Sequence, residues 1–210
     1  SFLEYLKLLL NTVNVSVWPT LLQLVTCSLC GYGLARFKFP LNKPLFMLAL
    51  VSLAIPPTLL LIPLYKIFSA FDLFGLIPMI TGEHLNLLNT QWCNIILSIT
   101  AAGYRCGLYI VLMRQYFRGV PKELEEAAYI DGAGTLRTFL SVMLPNAKTM
   151  MITVGLFSFV WTWLDSDFAP TMMYDTPLLT IKLDFIGSIL KDKANSDVLS
   201  NLYADAGIIF

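Results

Sequence analysis

Lys122–Pro145 reads KELEEAAYIDGAGTLRTFLSVMLP, the longest charged and amphipathic stretch in an otherwise apolar chain. It lies between two apolar runs that read as membrane spans. Ionised side chains are costly inside hydrocarbon, so a charged segment of this length between spans must leave the bilayer. Its pattern predicts two short helices with a glycine break. Pro121 suits the first position of a helix. Glu123, Glu125 and Glu126 fall in the first turns, where carboxylates meet the positive end of the helix dipole. Ala127 and Ala128 form a smooth surface that lets another backbone come close. Gly132 and Gly134 end this helix, because glycine takes left-handed geometry without penalty. Thr135 is expected to cap a second helix. The apolar set of that helix, Leu136, Phe139, Leu140, Met143 and Leu144, is expected to pack back under the bundle, and Pro145 separates it from the next span.

The rest of the chain sets the context. Of 210 residues, 57% are hydrophobic and 13% are charged, and the mean hydropathy is +0.70. A soluble domain carries about 25% charged residues. Here the few charges are clustered and leave long uncharged runs, which is the pattern of an all-α polytopic membrane protein. With 14 basic and 14 acidic residues the formal charge is zero, and no nucleic-acid partner is expected. His84 is the single histidine, so no metal site or catalytic triad is expected. Cys27, Cys30, Cys93 and Cys106 all sit in apolar runs and read as small packing residues, the Cys27-x-x-Cys30 spacing included. No basic leader precedes the first span, and the chain stops inside an apolar run, so it reads as a segment trimmed at both ends.

Spans are placed at about 15–36, 44–65, 91–114 and 146–164, with a further one starting at 199–210 and an interfacial helix at 2–12 before the first. Each of the four complete spans is near or above the roughly 20 residues needed to cross about 30 Å of hydrocarbon. Asn11, Asn14, Ser16, Thr20, Gln23, Thr26 and Ser28 are expected to face partner helices. Pro19 suggests a helix start or kink. Pro56-Pro57 removes two backbone donors and should kink or break the second span, as a hinge or a packing feature. Arg105 falls inside the third span and needs a cavity, a partner chain or another polar group. Asn94, Tyr104, Arg105 and Trp161 are the candidates for a solute pathway by depth; for any single one of them, packing or a place in the aromatic belt is the better reading. Trp161 and Trp163 read as an aromatic belt.

Basic residues set the orientation. The 36–43 and 114–148 connectors carry Arg36, Lys38, Lys43, Arg114, Arg118, Lys122, Arg137 and Lys148. The 66–84 and 165–198 connectors carry Lys66, Lys182, Lys191 and Lys193. The 121–145 segment is therefore expected in the cytoplasm and the acidic 165–198 loop outside.

The spacing Glu126-Ala127-Ala128, three residues, Gly132, nine residues, Val142-x-Leu144-Pro145 resembles the EAA signature of binding-protein-dependent ABC importer permeases. Valine stands at 142 where that family prefers isoleucine. Asp131-Gly132-Ala133 and Phe139 resemble the sugar-importer, maltose-type branch. So do Ala35-Arg36-Phe37-Lys38-Phe39-Pro40, Ile62-Pro63-Leu64-Tyr65 and Leu88-Asn89-Thr90, in that order along the chain.

The resemblance implies a single type I ABC importer transmembrane domain over 1–210, with about five of the usual six spans. It implies pairing with a second permease subunit and two cytoplasmic ATP-binding subunits, and delivery of a sugar by an extracellular solute-binding protein at a bacterial plasma membrane. In such a protein 121–145 is the coupling segment. Glu126 would sit at the ATPase interface, Ala127 and Ala128 would allow close approach, Gly132 would make the turn with Asp131 also among the coupling residues, and Leu144-Pro145 would join the segment to its span. The Lys66–Leu87 connector departs from the family in length, and Arg105 belongs to none of its motifs. The chain has no GxxxxGK[ST] loop, so it is expected to be a transporter subunit and not an enzyme. ATP and magnesium would be bound by the partner, with no cofactor on this chain. The alternatives are an importer for another solute such as a polyamine or an anion, a passive channel or scaffold, or a membrane-embedded enzyme. The orientation has a direct test. A thiol introduced at Asp175 should react with an impermeant maleimide added to intact cells, and one at Glu123 should not; the reverse pattern would overturn the orientation.

Overall fold

The computed structural model describes residues 2–72, 84–103, 105–179, 181–183, 185–189 and 191. Within them the chain is a bundle of helices. In order these are α1 (Phe2–Arg36), α2 (Asn42–Ala54), a 3-10 turn (Pro57–Leu60), α3 (Leu61–Ser69), α4 (Trp92–Ile99) and α5 (Cys106–Gly119). There follow α6 (Glu123–Ile130), α7 (Thr135–Thr138), a π turn (Phe139–Met143), α8 (Leu144–Asn146), α9 (Lys148–Trp163) and α10 (Phe168–Met172). The expected start of a span at 199–210 lies outside the described residues, as does the candidate residue Tyr104.

α1 is the axis of the bundle and packs on α4, α5 and α9. It corrects the expectation of a separate helix at 2–12, since it runs unbroken for 35 residues and passes through Pro19. Proline there removes one rung of the ladder. The neighbouring turns are held by side chains: Thr12 Oγ1 donates to the Leu8 carbonyl and Thr20 Oγ1 to the Ser16 carbonyl. The buried positions Leu8, Thr12, Val15, Ser16, Thr20, Gln23 and Cys27 recur every three or four residues, so they form one half-polar stripe facing the core. Asn14 is the exception, lying on the exposed face. α1 ends where its last carbonyls find other donors. The Asn42 amide donates to the Leu34 and Phe37 carbonyls, and Arg114 Nε donates to Leu34.

Two expected spans are broken. The helix in 44–65 ends at Ala54, and the axis turns by 104° between Asn42–Ala54 and Pro57–Ser69. Pro56 and Pro57 sit at that turn, with Pro57 opening the 3-10 turn. The 91–114 run is not a single helix either. α4 stops at Ile99 and α5 starts at Cys106. Between them Ala101 (φ 55°) and Arg105 (φ 62°) are left-handed, a conformation that ends a helix. Arg105 thus stands at a helix junction and not in the middle of a span. A third bend of 80° separates Thr135–Asn146 from Lys148–Trp163.

Among the described residues, Leu3–Arg36 is the one helix long and apolar enough to cross a membrane alone, and each bent pair would add one more if it forms a single span. α2 buries none of its residues, and it exposes Met47 and Leu48 by about two thirds. An apolar face of that extent requires lipid or a partner chain.

α1 and α5 lie close together at Gly31. A Cβ there would lie 2.6 Å from Met113 Cβ and 3.0 Å from the Arg114 backbone nitrogen. Backbone cannot yield as a side-chain tip can, so Gly31→Leu is expected to cost about 1–3 kcal/mol by overpacking. Gly33→Leu, whose Cβ would meet nothing nearer than 4.0 Å, should be tolerated. Thermal midpoints of the purified protein in detergent check this, and equal midpoints for the two variants would refute it.

Candidate functional site: an anchored helical unit and an internal pocket

The 123–146 unit is set by local chemistry at each joint. Three glutamates occupy the first turn of α6, which begins after Lys122. Pro121 therefore stands two residues before the helix and not at its first position. The exit is a Schellman motif. The Ala133 N–H donates to the Ala128 carbonyl (2.9 Å) and the Gly132 N–H to the Tyr129 carbonyl (3.0 Å). That closure requires the left-handed φ of +80° at Gly132. Gly134 occupies the cap position of α7, so Thr135 is its first helical residue and not its cap. The π turn at Phe139–Met143 adds a residue to one turn and shifts the register of the side chains. Phe139 and Met143 are consequently buried. Leu136 and Leu140 are 65% and 53% exposed, against the expectation that the whole apolar set packs under the bundle.

The residues of the alanine-glycine pattern divide by face. Ala128 is buried; Glu126, Ala127, Asp131, Gly132 and Pro145 are exposed, and Leu144 is half-buried. Ile130, 86% exposed, lies at the tip with Leu136. The inward face is held by a residue that the sequence reading treated only as part of the acidic first turn. Glu125 Oε2 lies 3.3 Å from Arg36 Nε, and the two side chains are only 10% and 8% exposed. Arg36 also donates to the Val120 carbonyl at 2.6 Å. Tyr32 packs beside this pair against Phe37, Phe117 and Phe139, with ring centroids 4.9–5.7 Å apart. The pair therefore joins the last turn of α1 to the first turn of α6. The signal in the sequence was the three-residue spacing of Glu125 and Ala128, which puts both on one helix face.

The second feature is a pocket of about 140 Å³ at the breaks of the two interrupted helices. Pro57, Leu60 and Leu61 line it from one break, and Ala101, Gly103 and Arg105 from the other. Asn94 and Ser98 of α4, Gln23 of α1 and Trp161 of α9 close it. Asn94, Arg105 and Trp161 are thus brought to one cavity, with Arg105 stacked over the Trp161 ring, 2.9 Å from its centroid. Pro57 reaches the same cavity. Asp165 lies on its wall, and its carboxylate accepts from the backbone N–H groups of Asp167, Phe168 and Ala169. Burial pushes the Asp165 carboxyl above the usual carboxylate range, against the pull of those three donors. Gln23 and Ser98 were not among the pathway candidates. Gln23 had shown only as one of several polar residues in an apolar run.

Such broken helices around a cavity, with a charged helical unit at the end of the bundle, define the transmembrane-domain fold of type I ABC importers. A chain of a bacterial ABC transporter that imports the acidic polysaccharide alginate superposes with a TM-score of 0.65 at 21% identity, over 90% of this chain and 64% of that one. Residues 28–188 match the family described as binding-protein-dependent transport system inner membrane component, and the chain belongs to that family. It is thus a membrane transport component. The diacetylchitobiose uptake permease NgcG of Streptomyces coelicolor is 34% identical over 75% of this chain and 46% of its own length. The melibiose/raffinose/stachyose import permease MelC of Bacillus subtilis is 32% identical over 85% and 59%. The probable ABC transporter permease YurM of the same species is 32% identical over 82% and 52%. The chain spans about half the length of the curated relatives it matches.

Removing one member of a buried ion pair strands the other charge, at about 3–5 kcal/mol, whereas an apolar replacement of both is tolerated. Glu125→Ala should therefore lower the thermal midpoint of the detergent-purified protein well below that of Glu125→Leu combined with Arg36→Met. A Glu125→Ala midpoint equal to wild type would show that the pair anchors nothing.

Proposed function

We propose that the chain is the permease subunit of an ATP-driven importer, that it carries a carbohydrate, and that it couples to a cytoplasmic ATPase through residues 121–145. The observation that carries the coupling is the 123–146 unit itself. It presents Glu126, Ala127, Ile130 and Leu136 outward, while Glu125 fixes it to α1 from beneath. A rigid exposed knob with an apolar tip and an acidic flank suits a groove in a partner. Gly132 shapes the turn, Asp131 stands beside it, and Leu144-Pro145 hands the displacement to α9. The ATP-binding subunits bind ATP and magnesium, a second permease completes the pathway, and a solute-binding protein delivers the sugar from outside. The 121–145 segment faces the cytoplasm and 165–198 the exterior, from the distribution of basic residues.

The carbohydrate reading is supported by the sugar permeases among the relatives and by a pocket that combines an aromatic ring with amide and guanidinium donors. Asn94, Arg105 and Trp161 would line the pathway, with Tyr104 adjoining Arg105 in the chain. The spans at 15–36, 44–65, 91–114 and 146–164 would cross the bilayer, three of them including or adjoining a bend or break. Irregular backbone at membrane depth is tolerated where it lines a cavity. Pro56 and Pro57 would act as the hinge when the cavity switches sides. An anionic sugar is the second reading, favoured by Arg105 in the pocket.

Tagged chain purified from its native membranes should bring down an ATPase subunit. Ile130→Asp with Leu136→Asp should abolish that recovery without lowering the membrane abundance of the chain. Gly132→Val forces a Cβ-bearing residue into left-handed geometry, at about 1–2 kcal/mol. It should retain the complex and cut solute-stimulated ATPase activity severalfold. Recovery of the wild-type chain without any ATPase would overturn the coupling.

A further inference from the structure

The pocket wall carries a buried donor that packing does not use. Gln23 projects from the core stripe of α1, is 4% exposed and lines the cavity. The buried Ser158 hydroxyl on α9 donates to its Oε1 at 2.6 Å. That contact sets the orientation of the amide, and among the described residues Nε2 has no hydrogen-bond acceptor. Nε2 lies against Gly103, where an added Cβ would come within 2.8 Å of it.

The neighbouring hydroxyls give their protons to backbone carbonyls: Ser98 Oγ to Asn94 at 2.7 Å, Thr26 Oγ1 shared between Leu22 and Ser98, each at 2.8 Å, and Thr162 Oγ1 to Ser158 at 2.8 Å. A leucine at position 23 would fill the same space and present no donor to the pocket. An acceptor that enters the pocket finds that donor already oriented.

We propose that Gln23 is a solute-binding residue whose Nε2 donates a hydrogen bond to an oxygen of the carbohydrate held in the pocket. The acceptor is a hydroxyl, ring or glycosidic oxygen, and Ser158 is the positioning residue that turns the amide toward it. Gly103 leaves the gap through which the contact is made. This rests on the carbohydrate reading above and adds a residue to it.

The test is equilibrium binding of radiolabelled raffinose, diacetylchitobiose and maltotriose to the detergent-purified complete transporter, without its solute-binding protein. Wild type should bind at least one of them. Gln23→Leu should weaken that binding on the order of tenfold, as expected for a lost hydrogen bond in a desolvated site. Gln23→Glu keeps an oxygen toward Ser158 and has no N–H to offer. It should weaken binding at least as much while leaving the α1–α9 contact intact, which separates binding from folding. Gly103→Ala, whose methyl group displaces Nε2, should weaken it as well. Gln23→Glu that binds with wild-type affinity would overturn this inference and leave the carbohydrate reading standing. Wild type that binds none of the three sugars would overturn both.

Discussion

The buried ion pair between Arg36 and Glu125 is the constraint on which the arrangement of this molecule turns. It ties the end of the longest helix to the start of the charged unit, at a place where neither charge can be solvated. Two buried charges bring little net stability over apolar residues of the same size. What they supply is position, because an unpaired member is so costly that α6 cannot leave α1 while both are charged. Tyr32, beside the pair, is itself packed against Phe117 and Phe139, and the low exposure of the two charged side chains raises that cost. The unit that carries Ile130 is therefore fixed to α1, which also lines the pocket through Gln23. The outer and inner features are joined by a single helix.

The pocket owes its existence to interrupted helices. A continuous helix satisfies its own backbone and closes against its neighbours. Where Pro56-Pro57 and the left-handed Ala101 and Arg105 break the ladders, the axes diverge and leave a gap. Polar side chains gather there because freed backbone groups need partners. Thr26 spans from α1 to the Ser98 carbonyl near the end of α4. At the opposite end the same logic holds a loop in place. Asn89, itself left-handed, donates to the Asp175 carboxylate and accepts from the Asp175 N–H.

Much of this was legible from residue order. The uncharged runs, the basic connectors and the glycine-broken amphipathic segment define an all-α membrane protein. The family was legible only as a resemblance, carried by the spacing of Glu126-Ala127-Ala128, Gly132 and Leu144-Pro145, and the match over residues 28–188 shows it. The split of 91–114 was not legible. Thr100-Ala101-Ala102-Gly103 carries no proline, and alanine favours helix when considered alone; tertiary contacts override that propensity. Likewise the periodicity of Leu136 and Leu140 points inward until the π turn changes the register.

The sequence by itself determined the helical class, the place of the charged unit and the two prolines where a helix must kink or break, since each follows from local backbone chemistry and from the cost of charge in hydrocarbon. Only the tertiary structure decided which glutamate is buried, which polar residue of α1 faces a cavity, and that Arg105 lies over Trp161. Those facts depend on pairings between residues 56 to 135 positions apart. No local pattern encodes them, because the side chains meet only after the helices have packed.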